Sequence, residues 1–194
     1  RENALPVGYD TGLGQIKERI ESGRETRQAA VKGQVHQMDI KADYLAFLLK
    51  YKEDWSSLKI AMDVSNGMAS LFVRDIFADQ PAYIYENMDG RFPNHEPNPL
   101  VQKNVEDLKK LVAQTKADIG VIFDGDADRV MFVDENSRFI SPDLMIAVLG
   151  HYFLEERGEK GYIHQDIRSS KAVGEYLAPM GGVMNTWRGG RAYA

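Results

Sequence analysis

Asp124, Asp126 and Asp128 stand at alternate positions, with Gly125 and Ala127 between them and Arg129 immediately after. On a helix this spacing scatters the carboxylates over different faces. In a loop that curls at the end of a strand they converge on one point. Three carboxylates packed together without a cation repel and raise one another's pKa values. A hard divalent cation relieves that, and an oxygen-only ligand set selects magnesium, calcium or manganese over zinc. Gly125 and Ala127 are small and let the backbone bend tightly. A guanidinium beside such a metal suits a phosphate held by two positive groups.

Two rival readings use the same residues. One is a solvated acidic turn between strands. The other is a calcium loop of the EF-hand type, in which Asp124, Asp126, Asp128 and Glu135 fall at the first, third, fifth and twelfth places. Against it, Arg129 occupies the sixth place, where that loop needs glycine for its turn, and the flanks are strand-like. His95 beside Glu96 has the look of an acid–base pair, but its proline-rich surroundings favour a structural or surface role. Met131, Phe132 and Phe139 read as strand packing.

The elements that must position the acidic residues follow from periodicity. Residues 119–123 and 130–133 are rich in β-branched side chains and flank the loop as strands, and Asn136-Ser137 marks a hairpin-like turn before Ile140. Upstream, a strand over 58–64, a turn at Ser65-Asn66-Gly67 and a helix over 68–77 precede a short strand at 82–85. Residues 92–99 contain three prolines and form a loop; 101–116 has the apolar spacing of a helix. A helix is expected over 40–51 with Asp39 as its N-cap, and another over 143–156 opened by Ser141-Pro142. Segments 161–164, 170–177 and 183–186 repeat strand, helix, strand. Leu13, Ile16 and Ile20 lie at helical spacing, and 23–26 reads as a loop. Strand–helix alternation of this kind argues an α/β fold, a mixed and mostly parallel sheet with helices on its faces.

Composition narrows the function classes. The 194 residues are 43% hydrophobic and 27% charged, with a net charge of −5, so no bulk electrostatic force draws the chain to nucleic acid. Cysteine is absent, which excludes disulfides and thiolate metal sites and fits a reducing, cytoplasmic setting. The apolar runs 44–49 and 144–149 are too short to span a bilayer, and no secretory signal opens the chain. Arg1 and Ala194 both read as cut ends, the expectation being a piece of a longer polypeptide.

The run from Phe123 to Arg129 strongly resembles the metal-binding loop of the α-D-phosphohexomutases, the phosphomannomutase/phosphoglucomutase family. The likeness extends further. The stretch Ala4-Leu5-Pro6-Val7-Gly8-Tyr9-Asp10-Thr11-Gly12 looks like the segment leaving that family's first domain, and 92–100 is similar to its proline-rich loop. Asp63 with Asn66-Gly67 resembles the opening of its second domain. Asp166-Ile167-Arg168-Ser169-Ser170 is similar to a segment whose basic residue faces the active site. Trp187-Arg188-Gly189-Gly190-Arg191 is similar to one that ends in Gly-His in many members; Arg191 here holds phosphate or hydroxyl but is a poor general base.

The resemblance implies four domains in the parent. Residues 1–39 are then a linker from a missing first domain, 40–140 the second domain with the metal loop, and 141–194 the first part of a truncated third. It implies an isomerase, an intramolecular phosphotransferase moving a phosphoryl group between C1 and C6 of a hexose phosphate through a phosphoserine and a bisphosphorylated sugar. Asp124, Asp126 and Asp128 then hold Mg²⁺, Arg129 is catalytic, and Arg168, Arg188 and Arg191 bind substrate phosphate. None of the nine serines sits in a Thr-Ala-Ser-His-Asn-Pro-type phosphoacceptor loop, so the fragment alone is expected to be inactive. Its partners are the hexose phosphate and the missing domains. A non-catalytic metal- or phosphate-binding module is the alternative.

Overall fold

The computed structural model describes residues 5–24 and 29–189. They divide into two compact units: Met38–Met145, and a second that joins the residues before it to those from Ile146 onward.

The first unit is built on five strands: β1 (Ile60–Asp63), β2 (Ala82–Ile84), β3 (Ile119–Phe123), β4 (Val130–Asp134) and β5 (Phe139–Ile140). Their order is β2-β1-β3-β4-β5. β1 lies parallel to both β2 and β3, while β4 and β5 extend the sheet antiparallel. Side chains alternate between faces, as a period of two requires. Ala61, Ile122 and Val133 pack with Val105 and with Leu108 and Val112 of helix α4 (Glu106–Thr115). Ile60, Met62, Ile119, Val121 and Phe123 turn to the other side, against Trp55, Ala69, Val73 and Phe77. β1 is buried along its whole length, as a central strand covered on both faces should be. Gly120 permits the close approach of α4: a Cβ there would lie 2.7 Å from Val112 Cγ2.

Helices α2 (Lys41–Leu48) and α3 (Val73–Phe77) are shorter than their apolar periodicity predicts. The missing turns are 3₁₀: Leu49–Tyr51 after α2, Met68–Leu71 before α3, and Gln102–Val105 before α4. Asp39 is not the N-cap of α2. Ile40 is, and Asp39 instead accepts from Lys41 N–H at 2.9 Å, one residue early. Gly67 and Val101 extend the backbone at the other two starts, where no side chain caps the first turn and tighter bonding serves in its place.

In the second unit, helix α1 (Leu13–Glu21) occupies the stretch where Leu13, Ile16 and Ile20 recur. β6 (Tyr162–Asp166) and β7 (Val183–Trp187) form a parallel pair linked through α6 (Lys171–Leu177), with Ser170 accepting from Ala172 N–H as N-cap. Helix α5 (Pro142–His151) runs across the boundary with proline first, and Tyr152–Glu156 continues it as a π-turn. Val173 and Leu177 form this unit's small core. An apolar groove lined by Ile146, Leu149, Phe153 and Ile163 runs beside β6 and carries none of the candidate site residues. Among the described residues no helix is long and apolar enough to cross a membrane. The α/β class with a mixed, mostly parallel sheet is as the sequence predicts.

Candidate metal centre

β1, β2 and β3 run in the same direction, so the turns that follow them meet at one edge of the sheet. That edge, the carboxyl end of parallel strands, is where open α/β sheets place their sites. Asn66 N–H donates to Tyr85 O at 2.8 Å, Asp89 N–H to Asn66 O at 3.0 Å, and Met68 N–H to Gly125 O at 3.0 Å. Gly67 makes the last of these possible. A Cβ on it would stand 2.7 Å from the Gly125 carbonyl oxygen. Ser65, Asn66, Tyr85, Phe92 and Ala127 all adopt positive φ, between 48° and 60°, in these loops. Non-glycine residues hold that conformation only where the surroundings over-determine it, which is common at functional sites.

The acidic loop is a hairpin connection between β3 and β4. Asp124 N–H continues the ladder to Arg129 O at 3.1 Å, and Ala127 N–H turns back to Asp124 O at 3.3 Å. Phe92 and Pro97 lie over Gly125, where a Cβ would come within 3.4 Å of both. One carboxylate oxygen from each of Asp124, Asp126 and Asp128 falls within 4.8 Å of the others. Asp124 is buried; Asp126 and Asp128 open to solvent. This donor set fits a hard divalent cation, which carboxylate, water and phosphate oxygens ligate. The helical flanks of an EF-hand are absent, and Glu135 lies beyond β4.

Arg129 serves the same loop. Its Nε donates to Asp124 Oδ2 at 2.6 Å and its backbone N–H to Asp124 Oδ1 at 3.1 Å, while Asp128 Oδ1 lies 3.7 Å from Nε. Burial pushes the Asp124 carboxyl up, but the Arg129 N–H and guanidinium outweigh it and hold the group below the usual carboxylate range. The guanidinium side chain is half exposed while anchored in this way.

Beneath the loop lies a buried polar cluster that residue types alone did not single out. Asp63, at the end of β1, is fully buried. Its Oδ1 accepts from Ser65 N–H at 2.8 Å, and Ser65 Oγ donates to the Phe123 carbonyl at 2.7 Å. Its Oδ2 lies 3.0 Å from His95 Nε2, and His95 Nδ1 lies 2.9 Å from the Glu96 carbonyl. His95 is therefore structural, not a surface residue: only 8% of its side chain is exposed. Nearby, Asn94 Nδ2 donates to Asn66 Oδ1 at 2.8 Å and Asn66 Nδ2 to Asn87 O at 2.7 Å. The signal in the sequence was an aspartate closing an apolar strand, which a buried partner must offset.

Arg168 and Arg188 belong to the other unit, following the carboxyl ends of β6 and β7. Arg168 folds back on Asp166, its Nε donating to Oδ1 at 2.6 Å and its Nη2 to Oδ2 at 3.1 Å. That guanidinium and the Arg168 and Gly189 N–H groups hold the Asp166 carboxyl far below its ordinary value. Arg188 lies 3.9 Å from Asp10. Arg191 falls outside the described residues, as do parts of the segments 4–12, 23–26 and 187–191 considered above.

A family profile described as "Phosphoglucomutase/phosphomannomutase, alpha/beta/alpha domain II" matches residues 42–137. A protein of Xanthomonas campestris called "Phosphohexose mutases" is 31% identical over 199 residues, taking in 100% of this chain and 44% of its own length. A phosphomannomutase of Methanocaldococcus jannaschii is 32% identical over 149 residues, 75% of this chain and 33% of its own. A crystal structure of a phosphoglucomutase/phosphomannomutase family protein from Burkholderia thailandensis superposes with a TM-score of 0.81 at 26% identity, over 92% of this chain and 39% of that one. The chain thus spans less than half the length of the relatives it matches. On the matched domain, the full-chain likeness and the shared architecture, the chain belongs to the phosphoglucomutase/phosphomannomutase family.

Proposed function

We propose that this chain is the metal-bearing part of a phosphomannomutase or phosphoglucomutase, whose parent moves a phosphoryl group between C1 and C6 of a hexose phosphate. The observation that carries the proposal is the convergence of Asp124, Asp126 and Asp128 at the carboxyl edge of the parallel strands, with Arg129 bound to the same group. In this reading the three carboxylates hold Mg²⁺ beside a phosphoserine supplied by a domain outside this chain. The bound ion contributes Lewis acidity and orientation to the transferred phosphoryl group. Arg129, fixed by Asp124, offers a second positive contact where charge builds. Arg168, Arg188 and Arg191 bind the sugar phosphate. Residues 40–140 are the second domain, 141–194 the start of the third, and the working enzyme is cytoplasmic.

The test uses the full-length parent in a coupled assay with mannose 1-phosphate and glucose 1-phosphate, activated by glucose 1,6-bisphosphate. Asp126→Ala and Arg129→Ala are expected to lower kcat more than they raise KM, because their contacts strengthen as charge develops. The 194-residue chain alone is expected to give no turnover, having no serine in a phosphoacceptor context. Turnover by the chain alone that survives Asp126→Ala would sink the metal-loop assignment.

A further inference from the structure

The His95 ring is set between two acceptors. The Glu96 carbonyl can only accept, and so can an ionised Asp63 carboxylate, so hydrogen bonds at 2.9 and 3.0 Å to both ring nitrogens require a proton on each. The pair is buried, which makes it costly to break by removing one partner. It is also placed to matter for the metal loop through two independent connections.

The first runs beneath the loop. Asp63 spends one oxygen on His95 and the other on Ser65, and Ser65 Oγ grips the carbonyl of Phe123 at 2.7 Å. That carbonyl belongs to the peptide leading into Asp124, so its orientation sets the direction in which the buried ligand leaves β3. The second runs above the loop. Pro97 and Phe92 flank His95 in the chain and cover Gly125. Pinning the ring to Asp63 therefore fixes the proline-rich loop on one side of the Asp124–Gly125 step while Ser65 fixes the other. Several of the joined segments hold positive φ at non-glycine residues, a conformation that relaxes when its restraints are removed.

We propose that His95 is a positioning residue for divalent-cation binding: its imidazolium, clamped between Asp63 and the Glu96 carbonyl, holds the acidic loop in the geometry that brings Asp124, Asp126 and Asp128 together. The inference rests on the metal-loop reading above and extends it to a residue that touches neither metal nor substrate.

The charge state gives the clamp a signature. The Asp63 hydrogen bond, against burial, raises the His95 pKa above its ordinary value. A raised histidine contributes fully below its unfolded pKa, about 6.5, and loses that contribution as pH rises through the folded value. The groups facing the ring are Asp63 of β1, Tyr85 after β2, and Asp107 of α4 with its partner Lys110. Burial pushes Tyr85 up to about 12, and Lys110 and Tyr85 hold Asp107 low. Neither of those two titrates in the window where His95 does.

The experiment measures Mn²⁺ binding to the 194-residue chain by calorimetry and electron paramagnetic resonance, from about pH 6 to about pH 9, a window around the ordinary histidine value. Urea unfolding of each variant confines the comparison to conditions where it is folded. Asp126→Asn should abolish binding. His95→Gln and Ser65→Ala should each weaken it about tenfold, the scale of an outer-shell contact. Wild-type affinity should fall as pH rises through the window, whereas in His95→Gln it should stay flat. If the wild type binds no Mn²⁺, or Asp126→Asn binds as well as wild type, the metal-loop reading falls and takes this proposal with it. If Asp126→Asn abolishes binding but folded His95→Gln and Ser65→Ala bind like the wild type, the positioning proposal alone is overturned. Should His95→Gln fail to fold, the wild-type pH profile decides: affinity that falls as pH rises through the window supports the clamp, and a flat profile overturns it.

Discussion

Arg129 performs two tasks with one guanidinium. It neutralises a buried carboxylate, and it stands beside the place where a cation would sit. A cation bound by Asp124 takes over part of the first task. Replacing Arg129 by alanine leaves the buried Asp124 carboxylate without its guanidinium partner, which is expected to lower stability by about 1–3 kcal/mol. Millimolar Mg²⁺ should restore more of that stability in Arg129→Ala than it adds to the wild type, as read by urea unfolding with and without the ion. Equal increments in both proteins would show that ion and guanidinium do not share a carboxylate. The acid limb follows the same logic. Because Asp124 titrates below its ordinary value, its contribution is present above the unfolded pKa of about 3.9 and is lost as pH falls through the folded one. Arg129→Ala should flatten that limb.

At the scale of elements, two glycines separate folding from site geometry. Gly120 faces α4, where a Cβ would strike Val112; Gly67 faces the acidic loop, where a Cβ would strike the Gly125 carbonyl. Alanine at either position is expected to cost about 1–3 kcal/mol by overpacking. Only Gly67→Ala should also weaken Mg²⁺ binding in the folded protein, and calorimetry on both variants distinguishes them. The strands around the loop were legible from the sequence, because 119–123 and 130–133 combine β-branched composition with turn signals on either side. The helix starts were not. Apolar periodicity is shared by 3₁₀ and α turns, so 68–77 and 101–116 read as single helices although each opens with a 3₁₀ segment. The acidic triplet was legible because its three members fall at alternate positions in one short stretch of chain. The Asp63–His95 pair was not, because 32 positions separate its members and nothing in composition signals a partner at that distance.

For the whole chain, the two units differ in how much they bury. Met38–Met145 has apolar layers on both faces of a five-stranded sheet, whereas the core of the residues from Ile146 onward is reduced to Val173 and Leu177 beside a two-stranded sheet. Limited proteolysis is expected to cut within 146–189 well before 60–140, since cleavage follows the ease of local opening. Equal resistance of the two stretches would contradict this. The strand order bears on folding as well. β3 and β4 are joined by the acidic hairpin itself, whereas Ile60 of β1 pairs with Ile119 of β3 across 59 positions of chain. Hairpins close in about 1–10 μs, and long-range parallel pairing waits on slower loop closure. The acidic turn thus closes early, before β1 delivers Ser65 and Gly67 to set the directions of its carboxylates. Repulsion among carboxylates crowded into a turn at that stage is expected to slow folding more than it hastens unfolding.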